Sequence, residues 1–186
     1  MAMKMRTFLT FILMFCATYM ASAANHLTFT AEEDSSTFCI KRFGDNNPSV
    51  QYSLDDGETW TDLSEDKAVV LAHKGDKALL RGNNPKGFST QYEKYTKFTM
   101  GGKIAASGSV MSLIDSIGKT TAIPNDICFW RLFEKCESLT KAPELPATIL
   151  KEQCYVQMFD GCTNLTQAPK LPATTMKFEC YVYMFS

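Results

Sequence analysis

The chain has 186 residues, 45% of them hydrophobic and 21% charged, with a formal net charge of −1. That composition excludes a collagen-like chain, a disordered acidic tail and a polytopic membrane protein. It also excludes a nucleic-acid partner, because phosphate contacts need a concentration of Lys and Arg that is absent here.

Residues 1–23 read as a secretory signal peptide. Lys4 and Arg6 give a positive start, Phe8 to Ala17 an apolar run, and Ala21-Ser22-Ala23 a small-x-small cleavage site. The apolar run is short for a membrane span. Cys16 does not fit lipidation, because Leu13-Met14-Phe15 precede it where small residues are needed. The mature chain is therefore expected to start near Ala24, to carry six of the seven Cys, and to keep no transmembrane segment. Export permits disulfides without requiring them.

Residues 24–102 read as a β-rich domain. Leu27-Thr28-Phe29-Thr30 alternates apolar with polar, and Thr37-Phe38-Cys39-Ile40 follows a polar stretch. Val50 to Leu54, then Asp56-Gly57, then Thr59-Trp60 predicts a hairpin, since Asp-Gly suits positive φ. Ala68 to Ala72 and Ala78 to Arg81 are short strands split by Lys74-Gly75-Asp76, and Asn83 to Gly87 is a loop. Strands at this spacing predict a small β-sandwich.

Within this domain, Ser53-Leu54-Asp55-Asp56-Gly57-Glu58-Thr59-Trp60 resembles the Asp-box of sialidases. The resemblance implies a hairpin element, with Asp55 accepting backbone hydrogen bonds across the turn and Trp60 packed beneath. In sialidases the box repeats around a propeller, away from the active site. A single copy, and a chain too short for propeller blades, leave a structural role only.

Other chemistry is sparse. No nucleophile elbow, zincin or phosphate-loop motif occurs. His73 reads as a strand-end residue rather than a base. Glu32-Glu33-Asp34 and Asp55-Asp56 sit in turn-like stretches that could bind calcium weakly. Tyr92, Tyr95 and Phe98 fit core packing or sugar stacking. Asn164-Leu165-Thr166 is a nominal N-glycosylation sequon, and Asp115-Ser116-Ile117 fits a short D-[ST]-apolar O-glycosylation pattern.

Residues 128–186 repeat. Cys128, Cys154 and Cys180 are 26 apart, as are Cys136 and Cys162, and 12 of 26 positions match between 128–153 and 154–179. A third copy begins at Cys180. Such a period predicts a solenoid. Cys154, Met158 and Cys162 fall on one face of a short helix that Gly161 would end. Pro169 and Pro172 then force an extended segment. Cys128, Phe133, Cys136, Leu139, Leu145, Cys154, Phe159, Cys162, Leu165, Leu171 and Cys180 would form the repeat core. Thr140, Lys141 and Glu144, with Thr166, Gln167 and Lys170, would lie on an exposed face. Residues 103–127 read as a capping, degenerate repeat, with Leu113 placed 26 before Leu139 and Ile123 placed 26 before Ile149.

The pattern F-x-x-C-x-x-L-T-x-A-P-x-L-P-A-T at 133–148 and 159–174 resembles the leucine-rich repeats of BspA-like surface proteins of Bacteroides-type bacteria. That resemblance implies a curved solenoid with a strand per repeat and a role in adhesion to host matrix or to other bacteria. It carries no catalytic residue. The whole chain thus reads as a mixed fold, a small β-sandwich-like domain followed by a short leucine-rich-repeat solenoid.

Three readings remain for the cysteines: buried apolar fillers, disulfides, or metal ligands. A Cys128–Cys136 bond would be out of reach across a helix, and no C-x-x-C pair is present. The functional expectation is an exported, non-catalytic binding protein at the cell surface, using no cofactor or metal and presenting its repeat face to protein or host-matrix ligands. The alternative is a glycan-binding accessory module of a carbohydrate-scavenging system.

Overall fold

The computed structural model describes residues 23–65 and 67–186. All but one residue of the expected signal peptide lie outside them. Two open sheets are formed. The larger runs in the order β4 (Thr61–Asp62), β3 (Gln51–Ser53), β6 (Lys77–Arg81), β1 (Leu27–Ala31), β8 (Ile104–Ser107), β9 (Leu139–Lys141). The smaller is β5 (Val69–Leu71), β2 (Ser36–Arg42), β7 (Thr96–Gly101).

Alternation puts Leu27, Phe29 and Ala31 of β1, and Ser36, Phe38 and Ile40 of β2, into the interior. Phe29 meets Phe38 and Phe98 edge-on, at 5.2 and 5.1 Å between ring centroids, so the two sheets close on an aromatic centre. Burial of each ring contributes about 2–3 kcal/mol. A β-sandwich-like arrangement is consistent with this packing. The expected hairpin forms: Tyr52 pairs with Thr61, and Asp56 and Gly57 take φ of 56° and 94°. The strands at Ala68–Ala72 and Ala78–Arg81 also form, as β5 and β6, but in different sheets.

The predicted solenoid does not form. The protein is mostly β, and the described residues contain one short helix, α1 (Ser112–Asp115), and a single strand, β9, within the repeats. That strand runs parallel to β8, with Ile104 opposite Leu139, and so extends the larger sheet. Rings continue from the sheets into the repeats without a break: Phe98 stacks on Phe133 at 5.4 Å, Phe133 on Phe159 at 5.5 Å, and Phe159 on Phe185 at 5.5 Å. The 26-residue pattern thus packs onto the sheets' own core.

The predicted helix at each repeat start is also replaced. Ile127, Arg131 and Lys135 have positive φ, as do Gln153, Gln157 and Gly161, so the backbone reverses hand every fourth residue. A helix cannot survive such reversals. A chain of tight turns results. Trp130 N donates to Ile127 O and Glu134 N to Arg131 O, both at 3.0 Å, inside the unit. The intervening amides reach the next unit: Phe129 N to Cys154 O, Arg131 N to Val156 O, and Phe133 N to Met158 O, at 2.9, 3.0 and 2.9 Å. A four-residue turn period lies close to 3.6, which is why the apolar spacing imitates a helix.

Candidate functional site

The second half of each repeat builds the groove that holds most of the exposed-face residues. Pro143 and Pro146 in one segment, and Pro169 and Pro172 in the other, keep two extended stretches side by side. The first is anchored, since Glu144 N donates to Gly108 O at 2.8 Å and Val110 N to Glu144 O at 3.2 Å. Thr166 N to Thr140 O, at 3.5 Å, ties the second to it. Between them runs an open groove of about 450 Å³.

Four of the six predicted face residues, Lys141, Glu144, Gln167 and Lys170, line that groove and are exposed. Its floor is Ala142, Leu145 and Ala168 with the prolines. Glu144 accepts a hydrogen bond from Asn25 Nδ2 at 2.7 Å. Among the described residues, neither lysine makes an ion pair. Thr140 lies elsewhere, its hydroxyl bonded to Glu32 Oε2 at 2.7 Å and to Ile104 O at 3.1 Å. Thr166 is exposed beside a neighbouring depression.

Of the predicted repeat core, Cys128, Phe133, Cys136, Leu139, Leu145, Cys154, Phe159, Cys162 and Cys180 are buried. Leu165 is half-buried, and Leu171 is 39% exposed where its counterpart Leu145 is 3% exposed.

All six described cysteines are free thiols, five of them buried. Burial pushes Cys128, Cys154 and Cys162 up to about 12 and raises Cys136 further. Cys136 Sγ donates to Phe98 O at 3.2 Å and Cys162 Sγ to Phe133 O at 3.0 Å, one position earlier in the same stack. These thiols are packing groups and poor nucleophiles. Among the described residues, no three of His, Cys, Asp or Glu are placed to hold a metal.

Residues 53–60 form the hairpin turn that the Asp-box resemblance implies, with one backbone amide, Thr59 N, on the Asp55 carboxylate. Asp55 Oδ1 accepts Thr59 N at 2.9 Å and Oδ2 accepts Thr59 Oγ1 at 2.5 Å, while the Ser53 hydroxyl donates to Oδ1 at 2.6 Å. The Ser53 bond, then those from Thr59, holds the carboxyl down at about 2. Trp60 Nε1 closes onto Gly57 O at 3.0 Å, and the Arg81 guanidinium lies 4.0 Å over its ring. The box braces a hairpin.

Other expected sites are occupied by structure. Tyr95 is buried and stacked on Phe43 at 4.3 Å, and Phe98 is core, so they make no sugar platform with Tyr92. Ser116 turns its hydroxyl inward onto Gly82 O at 2.8 Å. Asn164 is exposed, its amide donating to Glu137 O at 2.7 Å. His73 caps a turn with Asp76, whose Oδ2 accepts the His73 amide at 2.9 Å. Asp34 accepts Lys74 N at 2.8 Å and Glu32 accepts Thr140, so those acids tie loops together.

The protein carries a second depression. It lies between 45–48 and 83–94, where Asn-Asn-Pro occurs twice, at 46–48 and 83–85. The duplicated tripeptide is the signal of it that the sequence carries. Comparisons with protein-family models, curated proteins and solved structures found no match.

Proposed function

We propose that this protein is an exported, non-catalytic binding protein, and that its ligand-binding surface is the proline-walled groove between the two repeat segments. The supporting observation is the way sequence variation sits on the groove. Lys141 becomes Gln167 and Glu144 becomes Lys170 from one repeat to the next, while the neighbouring prolines stay. Fixed backbone with variable charge is how a scaffold changes ligands without changing fold. The likeness of the repeats to BspA-like surface proteins supports a protein or host-matrix ligand, and the signal-like residues 1–23 support export.

The groove's apolar floor and two unpaired lysines suit an extended polypeptide segment carrying acidic side chains. Capture on immobilised collagen, fibronectin and acidic peptides tests this. The double substitution Lys141→Glu, Lys170→Glu should lower capture at least tenfold and leave the melting temperature nearly unchanged, since exposed changes stay within about 0.5 kcal/mol. Unaltered capture by that variant would reject the groove.

A further inference from the structure

The depression between the two Asn-Asn-Pro loops has a volume of about 540 Å³, within the range of small-ligand sites. Each loop spends one asparagine on fixing the other wall. Asn84 Oδ1 accepts Ser49 N at 2.8 Å, and its Nδ2 donates to Ser49 O at 2.8 Å and Leu113 O at 2.6 Å. Asn46 Nδ2 donates to Phe88 O at 3.0 Å and Thr96 Oγ1 at 2.9 Å. Both side chains are buried, so the walls are cross-clamped before any ligand arrives.

The rim is different. Asn47, Asn83, Thr90 and Gln91 line the same space, are exposed, and make no side-chain hydrogen bond among the described residues. Three of them are amides, which offer a donor and an acceptor side by side, and the fourth is a hydroxyl. Charge is nearly cancelled: Lys94 Nζ lies 2.9 Å from Asp45 Oδ1, leaving Lys86 as the single unpaired cation at the rim. Apolar anchorage is limited, because Phe88 and Pro48 are buried beneath the surface and the exposed Pro85 ring is left as the main apolar contact. A phosphate would find too little positive charge, and a large apolar side chain only the Pro85 ring to rest on. Vicinal hydroxyls match paired donors and acceptors on a neutral, preformed wall.

We propose that this pocket is a carbohydrate-binding site, taking one or two neutral sugar residues through Asn47, Asn83, Thr90 and Gln91. The site is separate from the repeat groove and does not rest on that groove's assignment. Without an aromatic platform, single-site affinity is weak, and useful binding requires several copies at one surface.

The test screens the full chain on a glycan array. Saturation-transfer NMR then follows with glucose, galactose, mannose, N-acetylglucosamine and N-acetylneuraminic acid. At least one neutral sugar should bind with a millimolar Kd. Asn47→Ala with Asn83→Ala should weaken that binding at least tenfold while leaving the melting temperature unchanged, because neither side chain has an internal partner. Lys141→Glu with Lys170→Glu should not affect it. Three results would overturn the proposal: no sugar bound, binding that survives the Asn47/Asn83 variant, or binding restricted to N-acetylneuraminic acid and lost in Lys86→Ala.

Discussion

Tyr155 stacks face to face on Phe129, 26 residues upstream, with ring centroids 5.9 Å apart and planes 7° from parallel. The two occupy the same position in successive repeats and differ by one hydroxyl. That hydroxyl is buried and has no hydrogen-bond partner among the described residues. Burial also pushes its ionisation well above the usual tyrosine range.

Replacing that hydroxyl tests the packing directly. Tyr155→Phe should stabilise the protein by about 1 kcal/mol, the cost of an unsatisfied buried polar group. Thermal unfolding should show a melting temperature higher by about 2–4 °C. A lower melting temperature would mean that the hydroxyl is satisfied after all.

The buried thiols set a limit at high pH. Cys128, Cys154 and Cys162 ionise near 12 in the folded chain against about 9 when unfolded, and Cys136 is raised as well. Their stabilising contribution is complete below pH 9 and is lost as pH rises through the folded values. The slope above pH 9 reaches about 1.4 kcal/mol per pH unit for each thiol. Denaturant melts between pH 8 and 11 should show this decline, shallower in Cys154→Ala. That variant should itself cost about 1–2 kcal/mol at pH 7 through its small cavity.

Thiol counting addresses the redox state. Labelling the unfolded, unreduced protein should find all six described cysteines free. In the folded protein the half-buried Cys39 should label first. Finding no free thiol after unfolding would replace the packing columns with disulfides.

Asp55 gives the opposite pH dependence. Its folded value, about 2, lies below the ordinary 3.8, so its contribution is present above pH 4 and is lost as pH falls from 4 towards 2. Melting temperature should drop across that window in the wild type. Asp55→Asn should be less stable at pH 7 and show a smaller drop, and equal slopes would remove the Asp-box from the account.

Lys97 and Glu134 join β7 to the first repeat at 2.8 Å, with both side chains nearly buried. Glu134→Ala would leave the ammonium with the Glu134 backbone carbonyl alone, at 3.3 Å, would also remove the carboxylate 3.5 Å from Arg131 Nε, and should cost about 3 kcal/mol. A double-mutant cycle with Lys97→Met should recover part of that loss. Simple additivity would show that the two residues do not act as a pair.

Local features were legible in the sequence because each depends on near neighbours. The alternation of Leu27, Phe29 and Ala31 appears as a strand, Asp56-Gly57 as a tight turn, and Ser53 to Trp60 as a braced hairpin. The repeat of 26 was legible too, and with it the columns of Cys128/Cys154/Cys180 and Phe133/Phe159. Hydropathy could not say how those units fold. A spacing of four apolar residues is shared by an α-helix and by a run of turns reversing at Arg131 and Gln157, and only backbone dihedrals separate the two. Nor could a linear pattern show that β9 would join β8, or that Phe29, Phe98 and Phe133 would merge sheets and repeats into one core. The Asn-Asn-Pro pocket is likewise tertiary: 46–48 and 83–85 face each other because buried Asn46 bonds Phe88 O and buried Asn84 bonds the Ser49 backbone, contacts between residues dozens of positions apart that exist only once the chain has folded.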